Sequence, residues 1–225
     1  MKTSNLIRWS GLALMIGGIL GAIGLVIHPP GETASYVASS LWVAAHLLGG
    51  VAMIPLIFGL IGLYARHAEE TGRLGLLGFA LALVGAIMLG TELLWIEAII
   101  YPFLVANAPA LFDSLRSSPA YLIPDALSFL LVLGGWIIFG VAMVRAAVFP
   151  RWVVWLLIMS VIPTIVILGL AVLVLSGVTT VSGLSGPGPA PAIVIFNIVG
   201  ILMSLSFVGW GYALWSQQRQ PTAQS

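Results

Sequence analysis

Long apolar runs alternate along the chain with short breaks made of charged residues, prolines or polar clusters. Each run is close to the roughly 20 residues that a helix needs to cross a bilayer. The apolar positions are continuous rather than alternating, which argues against transmembrane strands. The pattern predicts an all-α integral membrane bundle of six transmembrane helices over residues 1–216, followed by a short polar cytoplasmic tail over 217–225. The predicted spans are 6–27, 39–64, 74–101, 122–146, 151–176 and 191–216.

The first run begins like a signal peptide, because Lys2 and Arg8 precede its apolar residues. The apolar stretch from Trp9 to Ile27 is nevertheless as long as a full span, and no convincing small-residue cleavage site follows it. We therefore expect the segment to be retained as the first transmembrane helix.

The basic residues predict how the spans are oriented. Seven of the eight fall on one side of the predicted topology, and only Arg116 falls on the other. Such an excess of Lys and Arg marks the cytoplasmic side. We expect both termini to be cytoplasmic, in a multi-pass protein of a bacterial cytoplasmic membrane. The seven residues are Lys2, Arg8, Arg66, Arg73, Arg145, Arg151 and Arg219.

The composition agrees with a membrane protein and narrows its chemistry. Of the 225 residues, 60% are hydrophobic and 7% are charged, against about 25% charged in soluble domains. The net charge of +1 and the lack of a basic tract predict no nucleic-acid partner. Because cysteine is absent, disulfides, thiolate metal sites and a cysteine nucleophile are excluded. The expected partners are membrane lipids, together with a small apolar or cationic ligand or another membrane protein.

Glycines and prolines predict how the spans pack. The glycines of span one suit close helix contact within the chain, which we favour over self-dimerisation. Pro55 and Pro163 lie near the middles of spans two and five, and each is expected to kink its helix. The segment 107–121 is compatible with either a short interfacial helix or a plain loop. The span-one glycines are Gly17, Gly18, Gly21 and Gly24.

A layer of polar residues is expected in the outer half of the membrane. Ionisable groups are costly inside a bilayer, and they usually mark a functional interior. If spans two and three turn at Glu69, His46 and Glu92 lie at one depth, 23 residues on either side of that turn. Ser128 and Asn197 fall in the same layer. Glu97 and Asp125 lie nearer the outer surface, and His28 lies at its edge.

Helical periodicity predicts which way the acidic side chains point. Gly78, Gly85 and Glu92 recur every seven residues, so Glu92 shares a close-packing stripe and should face into the bundle. We therefore expect Glu92 to pair with His46. Glu97 follows Glu92 by five residues, or about 140° around an α-helix, and should not share its face. Tyr101 follows Glu97 by four residues and can neighbour it.

These observations leave three hypotheses open. The first is a site open to the outer face that binds or transports a small ligand or exchanges protons near neutral pH. The second is a structural or accessory subunit of a larger membrane complex, in which the polar layer fixes helix register. The third is a metal-dependent membrane hydrolase that uses His28, His46 and a carboxylate. The candidate ligand-binding residues are His46, Glu92, Trp95, Glu97, Tyr101, Asp125 and Asn197.

The missing motifs weigh against an enzyme. The sequence has no Walker loop, dinucleotide fingerprint, G-x-S-x-G elbow or H-E-x-x-H pair. Only His46 lies deep in a span, which argues against haem held by two histidines. We assign no catalytic residue, no metal ligand and no cofactor, and the first hypothesis is the one we favour.

Overall fold

A computed structural model describes residues 3–148, 151–152, 155, 159 and 191–216, and all the regular structure in these ranges is helical. A π-helix, Glu92–Ile100, lies between the third and fourth α-helices. Most of the fifth predicted span, including Pro163, lies outside the described residues. The α-helices are α1 Thr3–Ile27, α2 Ala34–Val37, α3 Ser40–Thr91, α4 Tyr101–Asn107, α5 Pro109–Arg116, α6 Pro119–Arg145 and α7 Pro191–Ser216.

Four helical stretches in the described residues are long and apolar enough to cross a membrane. One of them contains 68 residues, which would extend about 100 Å if it were straight, three times the apolar thickness of a bilayer. It contains both the second and the third predicted span. The sequence predicts a break between these two spans, whereas the structure assigns them to one helical stretch. The four stretches are Asn5–Ile27, Ser40–Asn107, Pro119–Arg145 and Ile193–Ser216.

The long stretch folds back on itself within α3. Non-helical backbone at His67 and Gly72 breaks the helix, and the φ of +57° at Gly72 is a conformation that glycine adopts easily. The two arms lie antiparallel to each other. Tyr64 before the break stacks on Phe79 after it, with ring centroids 4.3 Å apart. We call the end of the bundle at this break the turn end and the opposite end the polar end.

Glycines set the spacing between α6 and the second arm of α3. A Cβ atom at Gly78 would lie 2.4 Å from the backbone nitrogen of Phe139, and one at Gly85 would lie 2.3 Å from that of Val132. Only glycine allows backbones to approach this closely. The predicted close-packing stripe of Gly78 and Gly85 is therefore confirmed.

The glycines of α1 pack against two neighbouring helices of the same chain. A Cβ atom at Gly17 would meet Leu56 in the first arm of α3, and one at Gly18 would meet the carbonyl of Ser204 in α7. The expectation that these glycines serve contacts within the chain is confirmed. On the far side of the bundle, Trp136 of α6 lies 4.6 Å from Phe207 of α7 between ring centroids, which closes the core.

Short helices cover the polar end. The segment 107–121, which the sequence left as either a short interfacial helix or a plain loop, contains the helix α5. Phe112 of α5 is buried edge-on against Tyr101. Arg116 at the end of α5 donates hydrogen bonds to the main-chain oxygen and carboxylate of Glu32, which ties α5 to the α1–α2 loop. We call the buried cluster at this end the cap; it consists of Val37, Trp42, Tyr101, Leu104 and Phe112.

Two adjacent glycines of α6 provide a matched test of this packing. A Cβ atom at Gly135 would lie 2.2 Å from the backbone nitrogen of Ala82, whereas one at Gly134 would have no neighbour within 4 Å. We expect Gly135→Ala to lower the free energy of unfolding by about 1–3 kcal/mol. Gly134→Ala should leave it unchanged or raise it by up to about 1 kcal/mol. Unfolding in mixed detergent micelles measures both, and equal effects would contradict the α3–α6 contact.

Candidate functional site

The π-helix leaves one backbone carbonyl of the polar end without a main-chain donor. At its end, the N–H of Tyr101 donates to the carbonyl of Ile96, five residues earlier. The next residue, Pro102, has no N–H to offer the carbonyl of Glu97. The indole Nε1–H of Trp42 donates to that carbonyl instead, at 2.7 Å. This bond joins the first arm of α3 to the π-helix and fixes Glu97 opposite the first turns of that arm.

His46 lies directly beneath Trp42 and faces the Glu97 carboxylate. Its Nδ1 lies 2.7 Å from the main-chain oxygen of Trp42, and because a carbonyl only accepts, Nδ1 carries the hydrogen. In the neutral ring, Nε2 then presents a lone pair. That Nε2 lies 3.9 Å from Oε2 of Glu97, too far for a direct hydrogen bond. His46 is only 5% exposed.

The two oxygens of Glu97 have different surroundings. Oε1 accepts a hydrogen bond of 2.6 Å from the hydroxyl of Tyr121 in α6. Oε2, which faces His46, is buried and accepts no hydrogen bond from any residue in the part of the chain that the structure describes. The structure thus places two hydrogen-bond acceptors, a carboxylate oxygen and an imidazole nitrogen, opposite each other in a buried position.

The pairing differs from the predicted one, since His46 meets Glu97 rather than Glu92. The cause is the position of the turn. Tyr64 pairs with Phe79, and a Cβ atom at Gly90 would meet Met53. Each of these pairs, like His46 with Glu97, is centred between residues 71 and 72 rather than at residue 69. Because the centre of the hairpin lies two to three residues later than predicted, the partner of each residue in the first arm lies five positions later along the chain than predicted.

Glu92 instead faces α6. Its Oε2 lies 3.3 Å from the hydroxyl of Ser128, which also donates to the main-chain oxygen of Asp125 at 2.8 Å. The predicted layer therefore does bring Glu92 and Ser128 together.

The π-helix also changes how Glu92 and Glu97 relate to each other. An α-helix would turn them about 140° apart. Hydrogen bonds that span five residues bring positions five apart close to one side of the helix. Both carboxyl groups therefore reach α6, where Glu97 meets Tyr121 and Glu92 meets Ser128. The expectation that these two acids do not share a face is wrong for this reason.

His28 completes the polar end from α1. Its ring centroid lies 4.9 Å from that of His46, and its Nδ1 lies 2.7 Å from the carbonyl of Pro29, to which it donates. Burial lowers the pKa of the His28 imidazole below its usual range, although the Pro29 carbonyl and the nearby Glu32 act in the opposite direction. Among the described residues, no three His, Asp or Glu side chains form a group that could hold a metal ion.

The other candidate residues have different positions. Tyr101 is buried in the cap, with its ring centroid 5.5 Å from that of Tyr121. Trp95 is 60% exposed on the outside of the bundle, so it does not line the polar cluster. Asn197 of α7 has a buried Oδ1 without a hydrogen-bond partner, and no contact in the described part of the chain joins it to His46 or Glu92.

Two residues of the cluster were not among the predicted site residues. Trp42 lies near the start of the second predicted span, and Tyr121 is the last residue of the outer segment 107–121. Each lies four residues before a predicted residue, Trp42 before His46 and Tyr121 before Asp125. Positions four apart share a helix face. That spacing was the available signal.

A separate apolar groove of about 290 Å³ lies toward the turn end, between α1 and the first arm of α3. It adjoins Pro55, one of the two prolines expected to kink a helix. Its walls contain none of the carboxylates, so this groove is not the ligand cavity expected at the polar layer. The lining residues are Leu6, Trp9, Ser10, Ala13, Ile54, Pro55 and Phe58.

Comparison of the chain with protein-family models, curated proteins and solved structures found no match.

Proposed function

We propose that this chain is a six-span protein of a bacterial cytoplasmic membrane, with both termini in the cytoplasm and the polar end outside. The two arms of α3 provide two crossings, and the apolar run 151–176 provides another. Arg8 lies over the ring of Trp215, which brings the start of α1 and the end of α7 to one end of the bundle. Arg66, Arg73 and Arg145 belong to that same end, in agreement with a cytoplasmic turn end.

At the polar end, we propose that the protein binds a small cation that carries N–H groups. The observation that carries this proposal is the buried Glu97 Oε2, which accepts no hydrogen bond among the described residues, with Nε2 of the buried His46 3.9 Å away. The donors around them are already engaged, since Trp42 donates to the Glu97 carbonyl and Tyr121 donates to Oε1. One ammonium nitrogen at about 2.9 Å from each acceptor would satisfy both.

The charges of the site favour a cation over an anion or a neutral ligand. Glu92, Glu97 and Asp125 are acidic, and the nearest arginine, Arg116, is already bound to Glu32 at the surface. A buried carboxylate without an opposite charge is costly, so a bound cation lowers the free energy of the site. The cap lies over this site, and the Arg116–Glu32 contact ties down the loop beside it. A ligand from the outer face would therefore have to displace part of the cap.

The topology is tested with single cysteines, because the chain has none of its own. Ser35 is exposed at the polar end, and Glu69 is exposed at the turn end. In intact bacterial cells, a membrane-impermeant thiol reagent should label Ser35→Cys. It should label Glu69→Cys only after the membrane is permeabilised. Labelling of Glu69→Cys in intact cells would overturn the proposed orientation.

The ligand class is tested by calorimetry on the full chain in lipid nanodiscs, with propylammonium and tetramethylammonium as probes. We expect propylammonium to bind and tetramethylammonium, which has no N–H donor, to bind much more weakly. Glu97→Gln should weaken propylammonium binding by about tenfold or more, because a charge-assisted hydrogen bond is lost. Glu69→Gln, in the exposed turn, is the matched control and should have no effect.

Equal binding of propylammonium and tetramethylammonium would contradict this proposal. Propylammonium binding that Glu97→Gln leaves unchanged would also contradict it. If neither probe binds and the chain is purified from native lipid with a stoichiometric protein partner, the accessory-subunit hypothesis replaces it.

A further inference from the structure

We propose that the apolar groove between α1 and the first arm of α3 binds an anionic phospholipid of the bilayer, with one acyl chain in the groove and the lipid phosphate on Arg66. The groove lies toward the turn end, away from the cation site, so this inference is independent of the proposed ligand. Only the identity of the leaflet rests on the proposed function, which makes it the cytoplasmic one.

The groove has a floor of small side chains between walls of large ones. Ser10 is buried in the floor, where Ala13 and Pro55 are half-buried. Trp9 and Phe58 form walls and are each 63% exposed. The hydroxyl of Ser10 donates to a main-chain carbonyl one turn earlier in α1, at 3.0 Å, so it has no hydrogen left for a ligand. The groove therefore suits a hydrocarbon chain rather than a polar molecule.

Close contacts between α1 and the first arm of α3 fix how the two sides of the groove align. A Cβ atom at Gly62 would lie 2.0 Å from the hydroxyl oxygen of Ser10. One at Gly59 would lie 2.3 Å from the side chain of Leu14. Later positions in α1 thus meet earlier positions in the arm, so the two helices are antiparallel.

This alignment gives the groove a length that matches one leaflet. Leu6, four residues before Ser10, lies level with Arg66, four residues after Gly62. Ile54, at the other end of the groove, lies about 12 residues from Arg66 along the arm, a rise of about 18 Å. Half the apolar thickness of a bilayer is about 15 Å. An acyl chain of the leaflet at the turn end therefore spans the groove.

Arg66 offers hydrogen-bond donors where the groove reaches the turn end. Its side chain is 41% exposed, and its Nη1 lies 3.8 Å from the carboxylate of Glu70. That distance makes an ion pair but is too long for a hydrogen bond, so the contact engages none of the guanidinium N–H groups. A guanidinium presents its donors in a planar fork that fits phosphate oxygens. A phospholipid with its chain in the groove brings its phosphate to this level.

The charge of the turn end favours an anionic headgroup. Arginines outnumber acidic residues there, and basic clusters beside membrane-spanning helices attract anionic lipids. Arg8 serves the other side of α1, because its guanidinium carbon lies 5.2 Å from the ring centroid of Trp215 in α7. Arg66 is therefore the arginine aligned with the groove. The described arginines of this end are Arg8, Arg66, Arg73 and Arg145, and its acidic residues are Glu69 and Glu70.

Native mass spectrometry of the full chain, released from detergent micelles, tests the preference for an anionic lipid. The probes are dioleoylphosphatidylglycerol and dioleoylphosphatidylcholine, which have the same acyl chains and differ in headgroup charge. We expect the first to bind about tenfold more tightly. Arg66→Gln should weaken its binding by about fivefold, because the phosphate loses charge-assisted hydrogen bonds. Arg145→Gln removes the same charge at the same end from α6 and, as the matched control, should have no effect.

Two further measurements locate the acyl chain. Ala13→Phe fills the floor of the groove and should weaken the binding of both lipids. In the unaltered protein, a phosphatidylglycerol with a photoreactive diazirine on its acyl chain should cross-link to residues 6–13 and 54–58. Cross-links that avoid both segments would overturn the proposed site, whether or not Ala13→Phe folds.

The remaining outcomes are equally decisive. Equal binding of the two lipids would overturn the proposed site, since the groove would then hold any bilayer lipid. Equal losses in Arg66→Gln and Arg145→Gln would also overturn it, because they would show a diffuse effect of charge. Failure of propylammonium to bind would overturn the proposed function and leave this lipid site in place.

Discussion

The hydrogen bond from the Trp42 indole to the Glu97 carbonyl determines the arrangement of the polar end. Pro102 and the preceding π-helix deprive that carbonyl of a main-chain donor, and an unpaired carbonyl inside a membrane costs several kcal/mol. Trp42 is the neighbour that supplies the missing hydrogen. Because the indole fixes Glu97 by its backbone, the carboxylate must point between His46 and Tyr121. The acidic cluster therefore depends on a proline that lies outside it.

The sequence was sufficient for the helical class, the hairpin of α3 and the close packing of Gly78 and Gly85, because each follows from continuous hydrophobicity or from α-helical periodicity. The partner of His46 was not predictable in the same way. The charged cluster around Glu69 looks like the centre of the turn, whereas the backbone reverses about Gly72, whose positive φ no periodicity reveals. The π-helix then alters the angle between Glu92 and Glu97, which α-helical counting cannot anticipate.

The polar cluster is stabilised by neutral donors rather than by opposite charges. Tyr121, Ser128 and Trp42 supply its hydrogen bonds, while Arg116 remains at the surface with Glu32. A buried carboxylate that lacks a permanent cation is stabilised by a mobile one, such as a proton or an ammonium group. This property separates a site that exchanges ligands from a structural salt bridge, in which both charges are fixed. The proposed binding of a cation at the polar end follows from this distinction.

Nitrogen-15 solid-state NMR of His46 in lipid bilayers tests the central arrangement most directly. We expect a hydrogen on Nδ1 and an Nε2 resonance that moves in Glu97→Gln but changes little in Glu92→Gln. Comparison with His46→Gln identifies the signal among the three histidines. A hydrogen on Nε2 alone would contradict the bond from Nδ1 to the Trp42 carbonyl. A resonance that responds to Glu92→Gln and not to Glu97→Gln would show that the arms of α3 are paired about Glu69 and would contradict the contact between His46 and Glu97.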